Sequence, residues 1–120
     1  MTKQWMGRLG DAEWTVVEDR PTYINVYFGN TPVDFVQALD GQRLIEPDRS
    51  REDAEIFARG AVRDALYGAE NREPDDLRAI RPALDERGRK FIDAAIAYLD
   101  ADGPEPDWAE GVALSEAYRP

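Results

Sequence analysis

The chain has 120 residues, of which 42% are hydrophobic, 25 are acidic and 15 are basic, so its net charge is −10. Because it contains neither cysteine nor histidine, thiol nucleophiles, disulfides, Fe–S clusters, Cys/His zinc sites and the Ser-His-Asp triad are excluded. The excess of acids over bases disfavours direct binding to nucleic acid or to an anionic membrane.

The order of the predicted elements indicates a single α+β domain. An N-terminal antiparallel β-meander of about three or four strands is expected to pack against two main C-terminal helices. The strands are predicted over about residues 13–46 and the helices over about 50–68 and 82–101. Residues 1–103 form this domain, and residues 104–120 form a Pro-containing linker and a short helical or irregular tail that docks on it.

The clearest strand spans residues 22–28, where large side chains alternate between two faces. A second strand over residues 13–18 precedes it, and turn chemistry at Asp19-Arg20-Pro21 joins the two as a hairpin. One face of the clearest strand carries Ile24, Val26 and Phe28, and the other face carries Tyr23, Asn25 and Tyr27.

The segment after this hairpin has two interpretations. The dipeptide Asp40-Gly41 favours a type I′ turn between strands over residues 33–39 and 42–46. Alternatively, Pro32 lies in the first turn of a short helix over residues 32–41, which Gly41 ends. The hairpin is preferred, because the apolar residues that follow need a strand neighbour in either case.

The two main helices are indicated by apolar side chains that recur with a 3.6-residue period. In the first, Ser50 is the predicted N-cap, Asp53 occupies the third helical position and Gly68 ends the helix. In the second, Pro82 fits the first turn. Shorter helical segments are predicted at residues 75–81 and 107–118.

The strand face that bears the tyrosines is the candidate binding surface, since tyrosine supplies contact area at little entropic cost. Two alternatives remain open at this point. Either the tail folds over this face and buries it, or the face stays open and binds a partner or a second copy of the chain. The predicted partner-binding residues are Tyr23, Asn25, Tyr27, Trp108 and Tyr118.

No spacing in the sequence selects a catalytic or metal site. Acids are numerous enough for a glycosidase-like pair to arise by folding, but nothing distinguishes one pair from another. The acidic stretch that begins at Asp100 fails the EF-hand pattern, because its fifth, sixth and twelfth positions are Pro104, Glu105 and Gly111. Glycine-rich phosphate-binding motifs do not occur. We therefore expect no cofactor and no metal.

These observations predict a non-catalytic, acidic protein-binding module, for example an inhibitor or immunity-type protein that captures a basic partner by electrostatic steering. The first alternative is a self-associating structural or assembly subunit of a phage or secretion system. The second is an enzyme that uses carboxylates and tyrosines. A need for solubility, or a halophilic source, would also account for the acidity. A cytoplasmic location is expected, since neither a signal peptide nor a membrane span is evident in the sequence.

Overall fold

In the computed structural model, which describes residues 2–119, a four-stranded antiparallel sheet is followed by helices. The strands lie in the sheet in chain order, each beside its neighbours in sequence. The predicted α+β class and β-meander are confirmed. The strands are β1 (Lys3–Leu9), β2 (Ala12–Arg20), β3 (Tyr23–Phe28) and β4 (Thr31–Gln37), and the helices are α1 (Ser50–Tyr67), α2 (Pro74–Ile80), α3 (Glu86–Leu99) and α4 (Trp108–Ser115).

Strand β1 is an addition to the predicted strands, which begin near residue 13. Its side chains alternate: Trp5 and Leu9 pack against the core, while Met6 between them is exposed. Gly10 reverses the chain between β1 and β2 with a φ of 58°, a left-handed conformation that glycine adopts without the clash of a Cβ atom. The sequence of this segment therefore carries an ordinary strand and turn pattern.

The predicted hairpin around Asp40 and Gly41 is wrong, and so is the alternative of a helix over this segment. β4 already pairs with β3 through a turn that begins at Gly29. Gly41 has a φ of 78°, so a turn is present, but the described residues after it form no further strand. The Leu44 N–H instead donates to the Pro21 carbonyl at 2.9 Å. The segment is thus held against the β2–β3 turn rather than paired with β4.

Helix α1 confirms the first predicted helix, but its N-terminus differs from the prediction. Ser50 is the first helical residue rather than the N-cap, because a 3-10 turn over residues 47–49 leads directly into the helix and places Arg49 at the cap position. The Asp53 carboxylate reaches back to accept the Glu46 N–H at 2.9 Å. Asp53 therefore fixes the segment that precedes the helix, whereas the predicted N-cap, Ser50, lies inside the helix.

Helix α3 begins four residues later than the predicted start at residue 82. Pro82 lies in a separate 3-10 turn and not in the first turn of the helix. Asp85 is the N-cap, and its carboxylate accepts the Gly88 N–H at 2.9 Å, which satisfies one of the free donors at the helix start. Helices α2 and α4 confirm the two shorter helical predictions.

One cluster of buried apolar side chains lies between the sheet and the helices. On β3, Ile24 and Val26 are fully buried and Phe28 nearly so, while the residues between them are only half-buried. The same alternation on β2 places its apolar side chains in this cluster. The helices therefore cover one face of the sheet, here called the inner face, and leave the opposite, outer face without a helix.

Candidate functional site: the outer face of the sheet

The outer face is formed by the strand residues whose side chains point away from the helices. Three of the predicted binding residues, Tyr23, Asn25 and Tyr27, lie on it and are half-buried. The strand registers arrange the side chains of this face in two central rows that cross all four strands. From β1 to β4, one row is Met6, Thr15, Tyr27 and Pro32, and the other is Gln4, Val17, Asn25 and Phe35.

Two large apolar side chains at opposite sides of the outer face are strongly exposed. Met6 on edge strand β1 is 57% exposed, and Phe35 on edge strand β4 is 64% exposed. The Phe35 ring stacks on Tyr23 with the centroids 6.1 Å apart, and the Arg20 guanidinium lies 5.7 Å from the centre of the Tyr23 ring. These contacts hold the aromatic side of the face in one arrangement, which lowers the entropic cost of binding to it.

Met6 and Phe35 are binding candidates that the sequence analysis does not include. For Met6 the signal lies in the alternation along β1, in which Met6 is out of phase with the inward-facing Trp5. For Phe35 the signal is weaker, because its position opposite Asn25 follows from a register that the turn at Gly29 sets. A prediction that places the turn at residue 40 cannot find it.

The structure does not bring Trp108 and Tyr118 to the outer face, and the alternative in which the tail covers that face is wrong. Trp108 packs edge-to-face on Phe91 and Tyr98, with centroids 6.3 and 5.8 Å away. The Tyr118 ring lies 5.5 Å from the Arg59 guanidinium, and burial raises its pKa. The tail joins the helices because they offer its aromatic side chains apolar partners, and the tyrosine face stays open.

The outer face carries little charge, although the chain as a whole is strongly acidic. Its two central rows contain no acidic or basic residue, in a chain of which 33% is charged. Beside them, Arg8 and Glu13 neutralise each other in an ion pair of 2.9 Å. Residues 1–37 hold three bases and five acids, a net charge of −2, and residues 38–120 hold twelve bases and twenty acids, a net charge of −8. The negative charge is therefore concentrated outside the sheet.

Arginines from the helical side cap both edges of the sheet. Arg51 donates to the Met6 carbonyl of β1 at 2.7 Å, and Arg72 donates to the Val33 carbonyl of β4 at 2.6 Å. Free carbonyls of this kind would otherwise accept hydrogen bonds from an added strand. Pro32 on β4 also lacks the N–H that an added strand would need. Strand addition is therefore disfavoured at both edges, and the outer face is the more available surface.

A shallow groove of about 410 Å³ lies at the β4 side of the face and contains Asp34. Burial raises the pKa of Asp34; the Arg72 guanidinium opposes this rise, and the Asp64 carboxylate adds to it. Arg72 is engaged with the Val33 carbonyl and lies 3.8 Å from the Asp76 carboxylate. The groove therefore holds a carboxyl group that becomes protonated at a higher pH than usual. The arginine beside it already donates a hydrogen bond to a backbone carbonyl.

No group of three or more acidic side chains among residues 2–119 is placed to hold a metal ion. None of the helices in this range is both long enough and apolar enough to cross a membrane.

The chain matches no known family model. Comparisons with curated proteins and with solved structures likewise found no match. Among the described residues, the uncovered outer face with its two exposed apolar side chains is the most distinctive arrangement.

Proposed function

We propose that this chain is a non-catalytic protein-binding module whose docking surface is the outer face of the sheet. The observation that carries the proposal is the exposure of Met6 and Phe35, at 57% and 64%, on the same face as Tyr23 and Tyr27. Between Met6 and Phe35, the half-buried side chains of Val17 and Tyr27 extend the apolar surface across the face, and apolar patches on a protein surface mark interaction sites. Methionine, tyrosine and phenylalanine are also enriched where proteins meet.

The side chains of this face supply enough binding free energy to matter. Full burial of a Met or Phe side chain stabilises a complex by about 1.5–3 kcal/mol. Because Met6 and Phe35 are each a little over half exposed, a partner that covers both gains about 2–3 kcal/mol from these two residues. The rings of Tyr23 and Tyr27 add further contact area around them.

Capture of a basic partner, as by an inhibitor or immunity-type protein, is a more specific form of this proposal. The net charge of −10 supports it, since long-range attraction would speed association with a basic protein. Most of the acids follow residue 37, so such a partner would contact the helical side as well as the outer face. A cytoplasmic location remains part of this proposal.

An enzyme that uses carboxylates is the second candidate, and its support is Asp34. A carboxyl with a raised pKa is what general acid catalysis requires, and Asp34 lies in a groove with Asp76. The groove is too shallow to enclose a substrate. Its arginine, Arg72, already donates to the Val33 carbonyl. The binding proposal therefore has the stronger support.

Site-specific photocrosslinking tests the docking surface. A photoreactive residue replaces Gln4, which is exposed in the second central row, and in a control variant it replaces Glu52, which is exposed on α1. We expect irradiation in the native cell extract to give a protein adduct from position 4 and none from position 52. Equal adducts from both positions, or none from position 4, would overturn the proposal.

A further inference from the structure

We propose that the partner on the outer face is a second copy of this chain, so that two sheets pack face to face as a two-layer sandwich. This inference rests on the proposed function and names its partner. Closed two-fold dimers are the commonest protein assemblies, and they pair one surface patch with itself. Two features of the structure favour this occupant over a basic protein, and a third shows that the face is large enough for it.

The first feature is the charge distribution. The two central rows contain no carboxylate for a basic partner to meet. Beyond them on β2, Glu13 is paired with Arg8 at 2.9 Å, and Asp19 at the other end is the one exposed acid of this strand outside that pair. Two copies of the chain, each with a net charge of −10, repel one another. Contact through the outer faces minimises this repulsion, because the more acidic remainder of each chain then lies away from the interface.

The second feature is the placement of the two exposed apolar side chains. Met6 lies on one edge strand of the face and Phe35 on the other. A two-fold axis that runs along the strands, between β2 and β3, lays β4 of one copy over β1 of the other. Rotation about this axis keeps each row at its position along the strands, so Phe35 lies opposite Gln4 of the second copy and Met6 lies opposite its Pro32. Phe35 and Met6 of the two copies are then diagonal neighbours, and contact between sulfur and an aromatic ring is favourable.

The third feature is the size of the face. Four strands about 4.8 Å apart and about 3.4 Å per residue give a flat area of about 450 Å² over seven residues. Projecting side chains raise the accessible area to about 600–700 Å² per copy, or about 1,200–1,400 Å² in total, which is the lower end of stable protein interfaces. The face is therefore large enough for a dimer. Because area alone does not set the affinity, we propose a Kd of about 10–100 μM as the value to be tested.

Sedimentation equilibrium between about 5 and 500 μM tests the dimer at the affinity expected. We expect the mass of the intact chain to rise from one copy to two. Phe35→Glu places a carboxylate in each half of the interface and should weaken association at least tenfold, whereas Ile56→Glu, at an exposed apolar position of α1, should leave it unchanged. Both sites are exposed, and circular dichroism verifies that each variant is folded.

The salt dependence separates a second copy from a basic partner. Salt screens the repulsion between two acidic chains, so the dimer should tighten as salt is raised. Attraction to a basic protein would instead weaken under the same conditions. A dimer that dissociates on addition of salt would contradict the charge argument.

The orientation is tested by cysteine crosslinking, for which the chain provides a clean background because it has no cysteine. Met6→Cys and Phe35→Cys chains are mixed and treated with a bis-maleimide that spans about 10 Å, the spacing of two packed sheets, which a disulfide is too short to bridge. We expect the mixed crosslink between the two variants to form faster than either self-paired crosslink. Ile56→Cys mixed with either variant serves as the control and should form no crosslink above background.

The outcomes separate this inference from the proposed function on which it rests. A chain that stays monomeric to about 500 μM, well above the expected Kd, overturns the second copy. If position 4 still crosslinks to a different protein, the docking surface itself stands. A monomer without any adduct from position 4 removes both. Association that Ile56→Glu abolishes and Phe35→Glu spares would place the interface on the helices and would also overturn the inference.

Discussion

The packing of α4 on the helical layer depends on Gly111, and the variant Gly111→Ala tests it. A Cβ atom at this position would lie 2.6 Å from the Leu66 carbonyl oxygen and 2.6 Å from Cζ of Phe91. Ordinary contacts of a Cβ atom begin near 3.4 Å. The Leu66 carbonyl belongs to the backbone of α1 and cannot rotate away, so α4 would have to shift outward by nearly 1 Å.

The magnitude follows from two opposing effects. Overpacking of this kind costs about 1–3 kcal/mol, and the upper part of that range applies because one of the two clashing groups is backbone. Replacing glycine by alanine inside a helix stabilises the protein by about 1 kcal/mol. We therefore expect Gly111→Ala to lower the free energy of unfolding by about 1–2 kcal/mol.

Gly60→Ala is the matched control, since Gly60 is also inside a helix and a Cβ atom there would meet nothing within 4 Å. It should raise the free energy of unfolding by up to about 1 kcal/mol. The difference between the two variants cancels the helix propensity and isolates the overpacking cost, about 2–3 kcal/mol. Urea unfolding measures it, and thermal unfolding should separate the two midpoints by about 8–12 °C. Variants that agree within about 0.5 kcal/mol would refute the close approach of α4 to α1.

Three further predictions concern charged groups, and all are measured by urea unfolding. Arg43→Ala removes the cation 3.6 Å from the buried Glu18 carboxylate and should cost about 1–2 kcal/mol, of which adding Glu18→Gln should restore part. Burial raises the pKa of Asp34 above 3.8, so on acidification the folded state takes up this proton before the unfolded state does. The intact chain should therefore gain stability relative to Asp34→Asn as pH falls through the raised pKa. Parallel plots of stability against pH for the two chains would contradict this. The hydrogen bond from Arg81 lowers the pKa of Asp93. The intact chain should therefore have a higher free energy of unfolding than Asp93→Asn above about pH 4, and this difference should vanish as pH falls through the lowered pKa. A difference in stability that grows on acidification would contradict this.

The elements that the sequence predicts well are those whose periodicity is long and unbroken. β3 alternates over its whole length, and its buried residues Ile24, Val26 and Phe28 are the ones assigned in advance to a single face. The apolar period of α1 extends over five turns, so its span is predicted almost to the residue. Local signals of this kind are sufficient because the covered face must be apolar wherever a helix packs on it.

The sequence predicts the strands around β4 poorly, because several glycines signal turns and the sequence does not show which of these turns joins two paired strands. Gly10, Gly29 and Gly41 all adopt a positive φ, and each lies in a turn. Only the first two join paired strands. After Gly41 the chain leaves the sheet, and the Leu44 N–H donates to the Pro21 carbonyl in the β2–β3 turn. The choice among turns is a question of tertiary pairing, which single-residue preferences do not encode.

The candidate site likewise contains residues that the sequence places correctly and residues that it does not. Tyr23 and Tyr27 are predicted correctly as outward-facing residues, because alternation within one strand is sufficient to place them. Phe35 requires the register between strands, and the position of Trp108 requires knowing which surface of the domain attracts the tail. The Phe91 and Tyr98 rings supply the partners of Trp108. The absence of a side chain at Gly111 allows α4 to approach α1 closely.

The negative charge of this chain opposes unspecific association through its exposed sheet. An uncovered sheet face with exposed apolar side chains is an aggregation hazard, and unpaired edge strands add to it. Arg51 and Arg72 occupy carbonyls at the two edges, and the charge of −8 beyond residue 37 makes other contacts between copies repulsive. One low-charge surface is left for association, and a face that pairs with itself is used up once two copies have met. In the proposed dimer, the same charge that would attract a basic protein would therefore also limit self-association to a closed pair.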